Sequence, residues 1–233
     1  MSRITLILEK QWIHGVALVF FLPLLRYAEG LDGMQEGEAL GISSPGWFRI
    51  SIALAVLHQT YVWFCWRTQL HCRLFTRLLG RRGFSAYAFL FAVIGCLRGI
   101  SVIFLAMANQ GTLSANRPAL RLLALAALVP GTCLLYSVGR YFTFKRALGL
   151  DHFDDSCRQL PLVRKGIFRH FRNGMYLFGF LLFWVPALWF ASRAALFAAL
   201  FNHLYIWVHY FSTELPDMRR IYGDQRLSGR PGG

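Results

Sequence analysis

Acidic residues are scarce in this chain: 11 Asp and Glu stand against 25 Lys and Arg over 233 residues, a formal net charge of +14. The five cysteines, Cys65, Cys72, Cys96, Cys133 and Cys157, are odd in number and contain no C-x-x-C pair. That argues against both a disulfide framework and a zinc site, and leaves them as small apolar packing residues. No P-loop, Rossmann glycine pattern, nucleophile elbow or H-E-x-x-H sequence is present, so nucleotide-triphosphate chemistry, covalent hydrolysis and zinc proteolysis have no support. Also missing are a Pro/Gly/Ser-rich linker, a low-complexity block and an internal repeat, and the chain therefore reads as one domain. A cleavable signal peptide is not evident, because the apolar stretch within 1–28 outruns an h-region and Glu29-Gly-Leu-Asp32 offers no small-x-small site. The first apolar segment is expected to stay as an anchor.

What the chain has in excess is apolar sequence. Hydrophobic residues make up 56% and the mean hydropathy is +0.43, too apolar for a soluble domain of this length. Runs near 11–28, 47–66, 84–108, 118–139, 175–191 and 194–213 each approach the length that crosses a bilayer. They predict an all-α, multipass membrane protein with about six spans. Segment 67–83 carries Arg67, Arg73, Arg77, Arg81 and Arg82 without an acid, and 140–174 carries eight Lys or Arg against three Asp. Segment 27–46 carries Glu29, Asp32, Glu36 and Glu38 without a base. This alternation predicts both termini in the cytoplasm, and the arginine-rich composition is compatible with a bacterial inner membrane. The positive excess then meets anionic lipid head groups, so no nucleic-acid partner is expected.

Several polar and aromatic features have plain membrane explanations. Pro23, Pro130 and Pro186 fall within expected spans, where they kink helices. Arg98 and Arg121 sit in apolar runs toward the expected outer ends, so both are expected to snorkel. Trp63, Trp66, Trp184 and Trp189 suit interfacial belts. His14 and His58 read as packing or interhelical hydrogen-bond partners. Loop 29–46 is expected to be irregular, whereas 140–174, long and aromatic, reads as a partly ordered membrane-surface segment covering a site.

Two polar motifs frame the last two spans. Gly166-Ile-Phe-Arg169-His-Phe-Arg172-Asn173-Gly174-Met-Tyr176 is followed 38 residues after Tyr176 by Glu214, with Tyr222-Gly223 beyond. At the helical rise those 38 residues make two helices of about 27 Å each, which returns both motifs to one membrane face. Arginines pair with carboxylates, and Glu214 can accept from an amine or from ribose hydroxyls. The simpler reading makes Arg169 and Arg172 positive-inside anchors and Glu214 a helix-end residue. Along 194–214, Asn202, His209 and Thr213 recur at i, i+7 and i+11, as do His203, Tyr210 and Glu214, with Trp207 among them, on the neighbouring face. Such a stripe is expected to face protein. His203 and His209, six apart, point different ways, so no metal is expected.

These residues resemble the membrane-embedded S-adenosylmethionine-dependent methyltransferases, the phospholipid N-methyltransferases and isoprenylcysteine carboxyl methyltransferases. Gly166, Phe168, Arg169, Arg172, Asn173, Met175 and Tyr176 fit the first family motif, and Glu214, Tyr222 and Gly223 the second. Asn173 is similar to the phosphatidylethanolamine branch, as, more loosely, is Phe144 to Phe153. Two departures stand out. Gly174 replaces the usual Pro, and Leu215 replaces a second Glu, for which Asp217 is a nearby acid.

The apolar runs place spans 1–4 over 1–138 of a single membrane domain of 1–233, and the resemblance implies a catalytic region over 139–226, its cofactor site built on the C-terminal hairpin. It implies S-adenosylmethionine as cofactor, bound by Gly166, Arg169, Arg172, Asn173, Tyr176, His203 and Glu214. Glu214 or His209 would take the proton from an amine acceptor, with a membrane lipid as substrate. The expected function is methyl transfer to an amine-bearing phospholipid head group or related amphiphile. Alternatives are a carboxyl or thiol methyltransferase, and a non-catalytic protein that retains the fold. Neither oligomeric state nor the acceptor's identity follows from the sequence.

Overall fold

Polar residues at the edges of the apolar runs decide where the helices begin. Ser43 accepts a hydrogen bond from Gly46 N and Pro45 sits in the first turn of the helix Ser44–Cys72, while Asn116 accepts from Ala119 N ahead of Arg117–Ser137. Each cap satisfies a main-chain donor that the helix cannot. The structure, a computed structural model, describes residues 2–161, 163–171 and 173–223. Its helices are α1 (Arg3–Ile7), α2 (Gln11–Ala28), α3 (Ser44–Cys72), α4 (Leu74–Leu79), α5 (Gly83–Ala108), α6 (Arg117–Ser137), α7 (Phe144–Ala147), α8 (Gly174–Gly179), α9 (Leu181–Trp189), α10 (Arg193–His209) and α11 (Leu215–Tyr222).

Five helical stretches, Gln11–Ala28, Ser44–Cys72, Leu74–Ala108, Arg117–Phe142 and Arg193–Tyr222, are long and apolar enough to cross a membrane. The chain is an all-α, multipass membrane protein. The fifth of the six expected spans is the shorter stretch Gly174–Trp189, broken between α8 and α9 at Phe180. Pro186 has no N–H to give Leu182, and Gly179 weakens the helix just before the break. Small residues also let this piece press against α6. A Cβ on Gly131 would come within 2.5 Å of Leu182 Cδ2, and one on Gly179 within 3.2 Å of Leu134 Cδ2.

The core follows the same logic. Ala194, Ala195, Ala198 and Ala199 of α10 are all fully buried beside Phe48, Ile52 and Ala55 of α3 and Leu105 of α5. In hydrocarbon, where helices gain little from leaving lipid, such close backbone approach drives association. At one end of the bundle Asn109 ties three segments together. Its Nδ2 donates to Gly33 O (2.7 Å) and Glu36 O (3.0 Å), and its Oδ1 accepts from Ser192 Oγ (3.1 Å) and Ala194 N (2.9 Å). The loop 29–46 contains a short hairpin, β1 (Glu38–Ala39) with β2 (Ile42–Ser43). It closes onto α5 only because Gly37, at φ +85°, lacks a Cβ that would strike Ala108 O at 1.9 Å.

Two expectations need correction here. Arg98 does not snorkel: it is 2% exposed and donates to Asn202 Oδ1 at 2.5 Å, with His58 Nδ1 at 3.4 Å and the rings of Phe180 and Phe183 at 5.2 and 5.4 Å. Amide, imidazole and aromatic faces replace water around the guanidinium. Arg121 does remain exposed, over the Trp189 ring at 5.4 Å. Trp66 is no interfacial belt residue either, being buried at the end of the bundle opposite Asn109. His14, by contrast, bonds Tyr205 as an interhelical partner, and Asn202, His209 and Thr213 all face protein.

Candidate active site

α9 and α10 form a tight hairpin. Ser192 caps α10 through Ala195 N, and Ser192 N donates to Ala187 O at 2.9 Å. The return path brings Tyr176 of α8 against α10, with ring centroids 5.8 Å from Trp207 and 5.2 Å from Tyr210. At Tyr210 the helix widens into a π-helical turn, Tyr210–Glu214, before α11 begins. Such turns leave main-chain carbonyls without their usual partners. Here side chains supply them: Gln11 Nε2 donates to Ser212 O (3.1 Å), and Arg67 Nη2 to Ser212 O (3.2 Å) and Thr213 O (3.4 Å). Glu214, the last residue of the turn, is half-buried and has no hydrogen-bond or ion-pair partner among the described residues.

Directly beneath lies a sealed ionic cluster. Arg67 Nε is 2.8 Å from Asp217 Oδ1, and His152 Nε2 is 3.4 Å from Asp217 Oδ2, with all three side chains at 0% exposure. Trp66 stacks on His152 with centroids 4.2 Å apart and an interplanar angle of 20°. Its Nε1 donates to Tyr87 Oη at 2.7 Å, and His209 lies at 5.5 Å. The stack depends on Gly149, held at φ +85° where a Cβ would fall 2.5 Å from the indole. Residues 143–159 thus form an ordered strap across this end. Tyr222 Oη donates to Asp151 Oδ2, and Arg146 reaches both Tyr222 Oη (3.2 Å) and Asp151 Oδ1 (3.5 Å). Burial first, and then the Asp151 carboxylate, push the Cys157 thiol up to about 11, which suits a packing residue rather than a nucleophile.

The N-terminal segment latches onto the same cluster. Arg67 Nη1 donates to Leu6 O at 2.6 Å, and Glu9 pairs with Arg67 at 3.4 Å and Arg220 at 2.5 Å. Burial works to raise the Glu9 carboxyl, but Arg220 and Arg67 together outweigh it and hold the group below its ordinary value. A lowered folded-state value means that this contribution is present above the unfolded carboxylate range and is lost as pH falls through the folded value. Glu9→Gln is therefore expected to speed hydrogen exchange across α1 at neutral pH and to remove its acid sensitivity. Equal exchange in wild type and variant at pH 7 would refute the latch.

The structure distributes the expected site residues unevenly. Gly166, at φ +59°, passes over Ser137 and Tyr141, where a Cβ would lie 2.6 Å from Ser137 Oγ. Ser137 Oγ also accepts from Ile167 N at 3.2 Å, and Phe168 packs against Phe142 at 5.3 Å. The first motif is thereby pinned to the π-helical turn Val138–Phe142 that ends α6. Arg169 is exposed, Asn173 half-buried, and Arg172 lies outside the described residues. Gly174 is the first residue of α8, where Pro is also compatible with a helix, and a Cβ there meets only ordinary contacts at 3.5 to 3.8 Å. Tyr176, His209 and Glu214 gather at one end. His203 accepts from Trp184 Nε1 at 3.2 Å, about 16 Å along the helix from Glu214 by helical rise. Sequence reasoning expected 140–174 to cover a site but did not assign Arg67, Asp151 or His152 to it, because helix period says nothing of which side chains will meet across a helix end.

Neither curated proteins nor solved structures yielded a match. Residues 120–225 match the family model described as phospholipid methyltransferase. They comprise most of α6, the strap, the hairpin and the π-helical turn bearing Glu214, and over these residues the chain is similar to the phospholipid methyltransferases.

Proposed function

We propose that this protein transfers a methyl group from S-adenosylmethionine to the amine of a phospholipid head group or related amphiphile, at the membrane face where Glu214 lies. One observation carries the reading. Asp151 and Asp217 are each held by an arginine, whereas Glu214 is half-buried with no counter-ion among the described residues. Leaving a carboxylate partly desolvated and unpaired is costly, and such a group suits a ligand that brings its own donor or cation.

The residues present fit the cofactor. The clustered faces of Tyr176, Trp207 and Tyr210 favour a cationic centre. The loop Gly166–Arg169 and Asn173 would hold the polar ends. When bound, the cofactor supplies a methyl group activated by its sulfonium. The chain's own task is alignment, since in-line displacement needs little covalent help, together with removal of one proton. An ammonium has no lone pair with which to attack, so Glu214 takes the N–H proton onto a carboxylate oxygen. His209 is 2% exposed behind Trp66, a position that suits orienting the indole rather than meeting an amine. The strap and the latch of residues 2–10 exclude water from the cluster below.

The purified full chain, given methyl-labelled S-adenosylmethionine and a panel of phospholipids, is expected to place label on an amine-bearing lipid, stable to mild base. Base-labile label would mark a methyl ester and refute the amine assignment. Absence of transfer to every lipid would refute the enzymatic reading.

A further inference from the structure

At the end opposite Glu214, α2 and α3 line a groove of about 630 Å³, a size that holds a sizeable ligand. Its walls are apolar, from Leu22 and Leu25 on α2 and Ile52, Val56 and Leu57 on α3. From Phe48 to Thr60 the α3 wall is about 18 Å long, within helices long enough to cross the bilayer. The rim is built differently. Glu29 is buried, 4% exposed in its side chain, and each of its oxygens takes one arginine: Oε1 from Arg49 Nη2 at 2.6 Å, Oε2 from Arg26 Nη1 at 3.1 Å. The guanidiniums themselves are 66% and 73% exposed.

A plain ionic staple between α2 and α3 would account for Glu29. It does not account for the rest. Each guanidinium carries five donors, and most of them remain outside the Glu29 contact. The trio has a net charge of +1 at the level where the apolar walls end. An anion therefore belongs at the rim, and a chain of methylenes in the groove below, because an apolar trough within hydrocarbon forfeits contacts if left unfilled. Phosphate matches paired arginines in shape as well as charge.

We propose that this groove is a binding site for one membrane glycerophospholipid, its phosphate on Arg26 and Arg49 and an acyl chain against Ile52, Val56 and Leu57. The lipid sits in the leaflet away from Glu214, so it is distinct from the methyl acceptor and does not depend on the function proposed above.

The full chain, delipidated in detergent, is incubated with phosphatidylglycerol or with diacylglycerol bearing the same acyl chains, and retained lipid is measured after gel filtration. Wild type is expected to retain about one phosphatidylglycerol per chain at saturation and to lose diacylglycerol. Ala53→Trp and Leu57→Trp, at exposed positions lining the groove, are each expected to displace that lipid. The triple variant Arg26→Gln, Glu29→Gln, Arg49→Gln removes the charges without stranding a carboxylate, and should weaken retention about tenfold or more. Glu214→Gln should leave retention unchanged, which separates this groove from the acceptor site. Equal retention of diacylglycerol, or unchanged phosphatidylglycerol retention in folded tryptophan variants or the triple variant, would overturn the proposal.

Discussion

Asp217→Asn is expected to destabilise the protein by about 3–5 kcal/mol, the cost of leaving a buried charge without its partner. Arg67 is fully sealed, and its other contacts are the carbonyls of Leu6, Ser212 and Thr213 together with Glu9 at 3.4 Å. Glu9 is part-exposed and shared with Arg220, so it does not replace a carboxylate at 2.8 Å. His152 would lose the oxygen that faces its Nε2, loosening the stack on Trp66 and with it the strap. Replacing both charges, Arg67→Met with Asp217→Leu, is expected to recover only part of the loss, since the buried ion pair compares poorly with packed apolar groups but the carbonyls of Leu6, Ser212 and Thr213 lose their donor. Thermal unfolding of the detergent-solubilised variants checks this. A single-variant loss below about 1 kcal/mol would mean that the cluster is hydrated and the argument from burial fails.

Glu214→Gln is expected to leave stability close to wild type, because the carboxylate it replaces holds no partner among the described residues. Methyl transfer is expected to fall by about 10²–10⁴-fold, the usual range for removing a positioned general base, while S-adenosylmethionine binding measured by calorimetry is retained. The two readouts separate the roles available to this residue. Loss of binding along with activity would make Glu214 a cofactor ligand, and wild-type activity would remove it from the site altogether. Raising pH should partly rescue the variant, since a neutral acceptor amine then needs no base. A loss of activity that pH does not alter would argue against proton transfer.

The spans were legible because hydropathy and length depend on composition alone, and five of them appear as continuous helical stretches. The broken piece Gly174–Trp189 was less so, since a one-residue break at Phe180 leaves the apolar content unchanged. The return of Tyr176 to the level of Tyr210 followed from residue count. What period and count do not contain is partner choice. Arg98 and Trp66 each had a sound membrane explanation, and each was overturned by a residue more than 80 positions away, Asn202 and His152 respectively. Asp217 was visible as a nearby acid, yet whether it faced ligand or protein depended on Arg67 of α3, adjacent in space and distant in sequence.

That pairing also sets an order of events in the making of the protein. Arg67 and Asp217 lie 150 positions apart, so the arginine is synthesised and placed in its helix long before its counter-ion leaves the ribosome. Contacts of such separation form late. Until α11 docks, the half-made bundle holds that cation with the Leu6 carbonyl and the part-exposed Glu9 but without its closest carboxylate. Chains that stop short of residue 217 keep that defect permanently. Truncated products thus keep Arg67 short of the carboxylate that seals it in the finished molecule.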